Sequence, residues 1–204
     1  MNSSFEIDCV DYVAGVDEVG RGALFGPVVA AAVLLTPIHG QQLLKSGLTD
    51  SKKLSAKQRE HLFDQIVQDA IACRIGLASV AEIDRLNILQ ASLLAMKRAV
   101  IRLSPLPQHC LVDGNQRIPH LPISQQTIVK GDQLAVSIAA ASVVAKVWRD
   151  RLIVRLATRF PDYDLVDNKG YGTKSHRQAI SQVGLSQYHR RSFKPCQIHI
   201  ESKS

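Results

Sequence analysis

Apolar residues in this chain fall into two rhythms. Near-continuous Val/Ala/Leu runs at 12–17 and 27–35 predict buried strands, and shorter runs at 72–79 and 109–112 predict two more. Helical spacing appears after Ser55, where Lys57, Gln58, Arg59 and Glu60 punctuate Leu62, Phe63, Ile66 and Val67, predicting a helix capped by Ser55 and running to about Ala70. The same period predicts helices over 81–103, 134–158 and 173–183. Ser104-Pro-Leu-Pro107 stops the first of these, because proline lacks an amide donor and blocks the preceding turn. Residues 125–129 read as an edge strand. The order strand–strand–helix–strand–helix–strand–strand–helix–helix predicts an α/β domain on a mixed sheet with a helical C-terminal part. Trp148, on the long alanine-rich helix, is expected in the core.

No repeat or low-complexity tract divides the 204 residues, so a single domain is expected. The longest apolar run is too short to span a bilayer, and the first residues lack the basic and apolar regions of a secretion signal. Cys9, Cys73, Cys110 and Cys196 are scattered with no C-x-x-C pair, which argues against zinc and fits reduced thiols in a cytoplasmic protein. Charge changes the picture further. Residues 1–145 carry 13 Lys/Arg and 13 Asp/Glu, whereas residues 146–204 carry 12 and 5, so the last third supplies the whole net charge of +7. A polyanionic partner held by that third, or simply a basic, soluble surface, would account for it.

Four acids stand at the ends of strand-like runs: Asp17, Glu18, Asp113 and Asp132. At ~4 Å and an effective dielectric of ~20, two like charges repel by roughly 4 kcal/mol, so clustered carboxylates must protonate, separate or bind cations. Hard divalent ions, Mg²⁺ or Mn²⁺, suit oxygen ligands better than zinc does. Neighbouring strand residues face opposite sides, so Asp17 and Glu18 are expected to share a site only if the strand ends or bends at Glu18. Asp132 is equally suited to capping the following helix, and Asp113-Gly-Asn115 to a plain turn. Gly20-x-Gly22-x-x-x-Gly26 is one residue off a dinucleotide fingerprint and leads into a strand instead of a helix, so a nucleotide-cofactor loop is excluded. It reads instead as a tight turn, or as a turn whose amides and Arg21 approach a sugar-phosphate backbone.

These segments resemble the bacterial ribonuclease HII family of type 2 ribonucleases H. The resemblance is carried by Gly15-Val-Asp-Glu-Val-Gly-Arg-Gly22 with Gly26-Pro-Val28, Thr49-Asp-Ser-Lys-Lys-Leu54, Val112-Asp-Gly-Asn115 and Lys130-Gly-Asp132. It continues through Ile138-Ala-Ala-Ala-Ser142 with Ala145-Lys146, Gly170-Tyr-Gly-Thr173 and His189-Arg-Arg-Ser-Phe-Lys-Pro195, in family order. It implies a ribonuclease H-like fold, with a catalytic core over about 10–160 and a basic extension over about 161–204. The implied activity is endonucleolytic cleavage of RNA in RNA–DNA hybrids and cleavage 5′ of single ribonucleotides in duplex DNA, leaving 3′-hydroxyl and 5′-phosphate ends. Roles in ribonucleotide removal and RNA primer removal follow. It further implies that Asp17, Glu18, Asp113 and Asp132 bind two divalent ions, about 3.5–4 Å apart in such sites, and that Gly20, Arg21, Gly22 and Tyr171 sense the ribose.

From helical spacing, Ser142, Lys146 and Arg149 share one face and, with Lys52 and Lys53, are expected to hold phosphates. His176 is read either as a proton relay or phosphate contact or as a helix-surface residue. A ribonuclease HIII is set aside because few residues precede the first strand and Arg21 stands in the glycine loop. A catalytically silent binding module would have shed acids that are all retained. A monomer is expected, and no sliding-clamp motif is evident after Lys194.

Overall fold

The computed structural model describes residues 12–201. Three strands, β1 (Val13–Val19), β2 (Val28–Leu34) and β3 (Ala72–Ala78), form an antiparallel meander, and β4 (His109–Asp113) and β5 (Ser124–Ile128) add in parallel to β1. The sheet order is β3-β2-β1-β4-β5, a mixed sheet as the periodicity predicts. Between the strands lie α1 (Pro37–Lys45), α2 (Ala56–Asp69), α3 (Val80–Leu86) and α4 (Ile88–Val100). After β5 come α5 (Gly131–Leu134), α6 (Val136–Ala157), α7 (Leu165–Asn168), α8 (Lys174–Val183) and α9 (Lys194–Glu201).

Strand β2 is buried on both faces and divides the core. Ala31 and Val33 pack with α6 and α2, while Ala30, Ala32 and Leu34 pack with α4. Small side chains let the helices approach closely. At Gly15 the approach is closest, since a Cβ there would lie 2.0 Å from the Ser137 carbonyl carbon. A third cluster, Leu24, Phe25, Ile153, Tyr163, Leu165, Ile180 and Cys196 among it, roots the 20–26 loop in the C-terminal helices.

Several details depart from the periodicity. Helix α1 has no counterpart in the pattern, because only Gly40 and Leu43 of it are buried; Thr36 caps it, accepting from the His39 amide, and Pro37 starts it. The expected helix over 81–103 is two helices. Asn87, at φ 71°, ends α3 and caps α4 by accepting from the Gln90 amide. Ser55 does cap α2, in a reciprocal capping box with Gln58. Trp148 is half-buried and outside the core clusters. Cys73, Cys110 and Cys196 are free thiols, and burial pushes them up to about 11, 12 and 11; Cys9 lies outside the described residues. Among the described residues no helix is long and apolar enough to cross a membrane.

Candidate active site

The acids meet where β1 and β4 end side by side. Strand β1 stays regular through Val19, with Asp17 opposite Ala31 and Glu18 opposite Ala30 on β2. The strand therefore neither ends nor bends at Glu18, where one or the other was expected, and the two side chains leave opposite faces of the sheet. The β1–β4 ladder stops at Val16–Val112, one residue before both Asp17 and Asp113. Beyond it the sheet opens, so groups from both faces reach one notch. The carboxyl ends of parallel strands are a common ligand site in open α/β sheets.

A cavity of about 310 Å³ there is lined by Asp17, Glu18, Gly20, Arg21, Ser51, Lys52, Asp113, Ser142, Lys146 and Tyr171. Asp17, 6% exposed, faces α6 and accepts from the Glu18 amide (2.7 Å) and from the Ser142 hydroxyl. Burial raises its carboxyl well above the usual range, and the charges of Glu18 and Asp113 add to that. Burial also raises Glu18, and Asp113 adds to it, against the Arg21 guanidinium that donates to it at 3.1 Å. Asp113 accepts from the Gly131 amide at 2.7 Å, which ties β4 to the turn carrying Asp132.

Asp132 is not a cap but lies inside the first turn of the short α5, buried, beside Lys52 at 3.7 Å. It does not line the cavity, yet burial raises it and Asp50 and Asp113 press on it. Burial opposes the Lys52 charge, but Asp132, Asp50, Asp17 and Asp113 outweigh that and raise the amine. Asp113 is thus the acid common to the set, acting on Glu18, Asp17 and Asp132, with Asp50 acting on Asp132. Among the described residues no three His, Cys, Asp or Glu side chains close into a ready-made metal cage. An open set of carboxylates is what divalent ions that keep water and substrate oxygens as ligands require. Arg21 pairs with Glu18 and Lys52 with Asp132, which leaves the acids in excess of the cations paired with them among the described residues and fits hard divalent cations.

The other expected residues divide. Ser142 shares a hydrogen bond of 2.9 Å with Ser51 and holds Asp17, so it orients an acid as well as lining the pocket. Lys146 pairs with Asp150 at 2.9 Å and lies over the Tyr171 ring at 5.7 Å. Lys53 is exposed and does not line the cavity. Gly22 is exposed with open space around it, whereas a Cβ on Gly20, at φ 90°, would strike the Arg149 side chain at 2.2 Å.

Arg149 does not face the pocket as a phosphate contact, as its place on the Ser142–Lys146 face suggested. It is wholly buried, and its guanidinium donates to the carbonyls of Phe25, Pro27 and Lys169. That geometry leaves it tying the 20–26 loop to the Tyr171 loop beneath the tyrosine ring, 5.4 Å away, and not gripping phosphate. Arg190, unassigned from sequence, does the same for the Gly26 and Arg21 carbonyls. His176 is buried too, bonded to the Tyr171 carbonyl and to His189, so neither surface nor pocket claims it. Asp50, Ser51 and Arg190 were visible only as members of motif runs, since no periodicity marks them.

Comparison with known proteins fixes the family. The family profile described as ribonuclease HII matches residues 14–196. A protein of Acaryochloris marina named ribonuclease HII is 63% identical over 193 residues, covering 95% of this chain and 98% of the relative. The ribonuclease H2 structure from Pyrococcus horikoshii superposes with a TM-score of 0.78 at 26% identity, over 93% of this chain and 97% of that one. The ribonuclease HII of Archaeoglobus fulgidus, solved in complex with PCNA, gives 0.76 at 28% identity, over 90% and 95%. With a ribonuclease H-like sheet, acids gathered at its carboxyl edge and this kinship along nearly its whole length, the chain belongs to the ribonuclease HII family, metal-dependent endonucleases that cleave the RNA strand of RNA–DNA hybrids.

Proposed function

We propose that this chain cleaves hybrids and also cuts 5′ of single ribonucleotides in duplex DNA, leaving 3′-hydroxyl and 5′-phosphate ends. The carrying observation is that three of the acids, Asp17, Glu18 and Asp113, line one cavity with Tyr171, Gly20 and Arg21, the residues that would read the ribose. Asp17, Glu18, Asp113 and Asp132 would hold two divalent ions, Mg²⁺ or Mn²⁺. When bound, these would supply an activated water and a sink for charge on the leaving 3′-oxygen. Ser142 and the Glu18 amide keep Asp17 aimed into the notch. Lys52, exposed and 3.7 Å from Asp132, would be free to turn to a phosphate with divalent cations held by the acids. Lys146, steadied by Asp150, offers a second ammonium beside Tyr171.

Only the 2′-hydroxyl distinguishes the sugars at the cut. The Gly20–Arg21–Gly22 backbone can bond that hydroxyl while the Tyr171 ring packs on the sugar. Residues 12–157 supply the acids, and the basic stretch from 161 supplies Tyr171 and a surface for duplex backbone. The test is Tyr171→Ala against a duplex with one ribonucleotide. Cleavage should fall at least about tenfold while duplex binding changes little. Equal loss of both would refute the ribose role.

A further inference from the structure

Behind Tyr171 lies a chain of hydrogen bonds that the catalytic site does not use. His176 and His189 are 0% and 1% exposed, and their Nε2 atoms are 3.1 Å apart. At one end the Ser186 amide reaches His189 Nδ1 at 2.9 Å. At the other, His176 Nδ1 lies 2.9 Å from the Tyr171 carbonyl oxygen. A backbone amide only donates and a carbonyl only accepts, so the ends fix every proton between them. His189 accepts at Nδ1 and therefore carries its proton on Nε2. His176 accepts that proton's bond at Nε2 and therefore carries its own on Nδ1, donating to Tyr171. An additional proton on His176 Nε2 would face the His189 N–H, and one on His189 Nδ1 would face the Ser186 amide, with the Ser186 hydroxyl at 3.0 Å as its acceptor. Burial, which disfavours the charged ring, agrees: it lowers both histidines, His189 to about 4.

The pair also spans the two loops of the pocket. Residue 171 bridges to Ala23, and residue 189 bridges to Phe25, whose ring meets the His189 ring edge-on at 5.2 Å. Tyr163 packs on His189 at 4.7 Å, closing the third side. The pair therefore sits where the Tyr171 loop, the 20–26 loop and the 186–190 turn meet.

We propose that His176 and His189 are positioning residues: a neutral, proton-ordered imidazole pair that sets the main-chain height of Tyr171 against the glycine loop. The inference rests on Tyr171 reading the ribose, as proposed above. A tyrosine displaced by a fraction of an ångström still lets the duplex bind but misplaces the sugar, so the effect should fall on kcat and not on KM.

Two measurements test it. Long-range ¹H–¹⁵N NMR of the whole protein should show both rings neutral at pH 7, His176 protonated on Nδ1 and His189 on Nε2; any other arrangement overturns the ordered chain. The second is a double-mutant cycle on a single-ribonucleotide duplex. His176→Leu should lower kcat about tenfold or more with KM nearly unchanged. His176→Asn, whose amide can still donate to the Tyr171 carbonyl, should keep most activity even if the leucine variant folds poorly. In a Tyr171→Ala background His176→Leu should cost little more. Additive losses in the cycle, or an asparagine variant as weak as leucine, would overturn positioning while leaving the tyrosine's role standing. If Tyr171→Ala alone cleaves like wild type, the ribose reading fails first, and this proposal falls with it.

Discussion

Arg149 separates a scaffold from a phosphate clamp most sharply. Its three nitrogens donate to Pro27 at 3.2 Å, Lys169 at 2.9 Å and Phe25 at 3.0 Å, and the Pro27 and Phe25 bonds are buried. Hydrogen bonds from a charged donor contribute about 1.5–3 kcal/mol each. Arg149→Met thus removes roughly 3–6 kcal/mol from the two buried bonds and orphans their carbonyls, while relieving part of the cost of burying a guanidinium. A net loss of about 3 kcal/mol corresponds to a fall of roughly 6–12 °C in Tm for a chain of this size. Arg149→Lys keeps the charge but lacks the planar fork, so it should behave like methionine. Thermal unfolding, read beside kcat and KM on a single-ribonucleotide duplex, decides. If lysine restores activity, with Tm unchanged and only KM altered in methionine, Arg149 grips substrate and the scaffold argument is wrong.

Two further outcomes follow from buried and exposed charge. His189, held at about 4 against an ordinary 6.5, binds more protons unfolded than folded between those values, so its contribution to stability is present above pH 6.5 and lost as pH falls through about 4. About 3 kcal/mol should disappear across that window relative to His189→Gln; parallel denaturation profiles for the two proteins would contradict it. The raised carboxyls of Asp17 and Glu18 act in the opposite direction but are common to both proteins and cancel in the comparison. Duplex binding should weaken steeply with salt, since residues 146–204 hold the excess of basic residues, although Arg149 and Arg190 are buried and contribute little direct contact. A flat salt response would contradict a backbone grip by that region.

How much of this was legible in the chain depends on what each residue answers to. Buried strands and long helices declare themselves by period, which is why β1, β2, α2 and α6 lie close to where the pattern puts them. Helix α1 does not, being mostly exposed, and the break at Asn87 is a single left-handed residue inside an unbroken apolar rhythm. The acids were legible because charge beside buried strands needs a reason. How they meet was not: alternation along one strand carries no sign of the neighbouring ladder, whose early end at Val16–Val112 does what an end or bend of the strand at Glu18 was expected to do. Helical spacing put Arg149 on a face with Ser142 and Lys146 correctly, but spacing along one helix cannot show that carbonyls of distant loops meet that face. The His176–His189 contact spans 13 residues, from α8 to the 186–190 turn, and leaves no local trace.

The central claim is that Asp17 and its neighbours form a cation-dependent ribonucleotide cutter. It is tested most directly by cleavage of a duplex carrying one ribonucleotide, beside a matched all-DNA duplex, with and without Mg²⁺ or Mn²⁺, for wild type and Asp17→Asn. The expected result is a single cut 5′ of the ribonucleotide, only with the cation, only in wild type, and none in all-DNA. Undiminished cleavage by Asp17→Asn, or cleavage of wild-type strength after chelation, would contradict it.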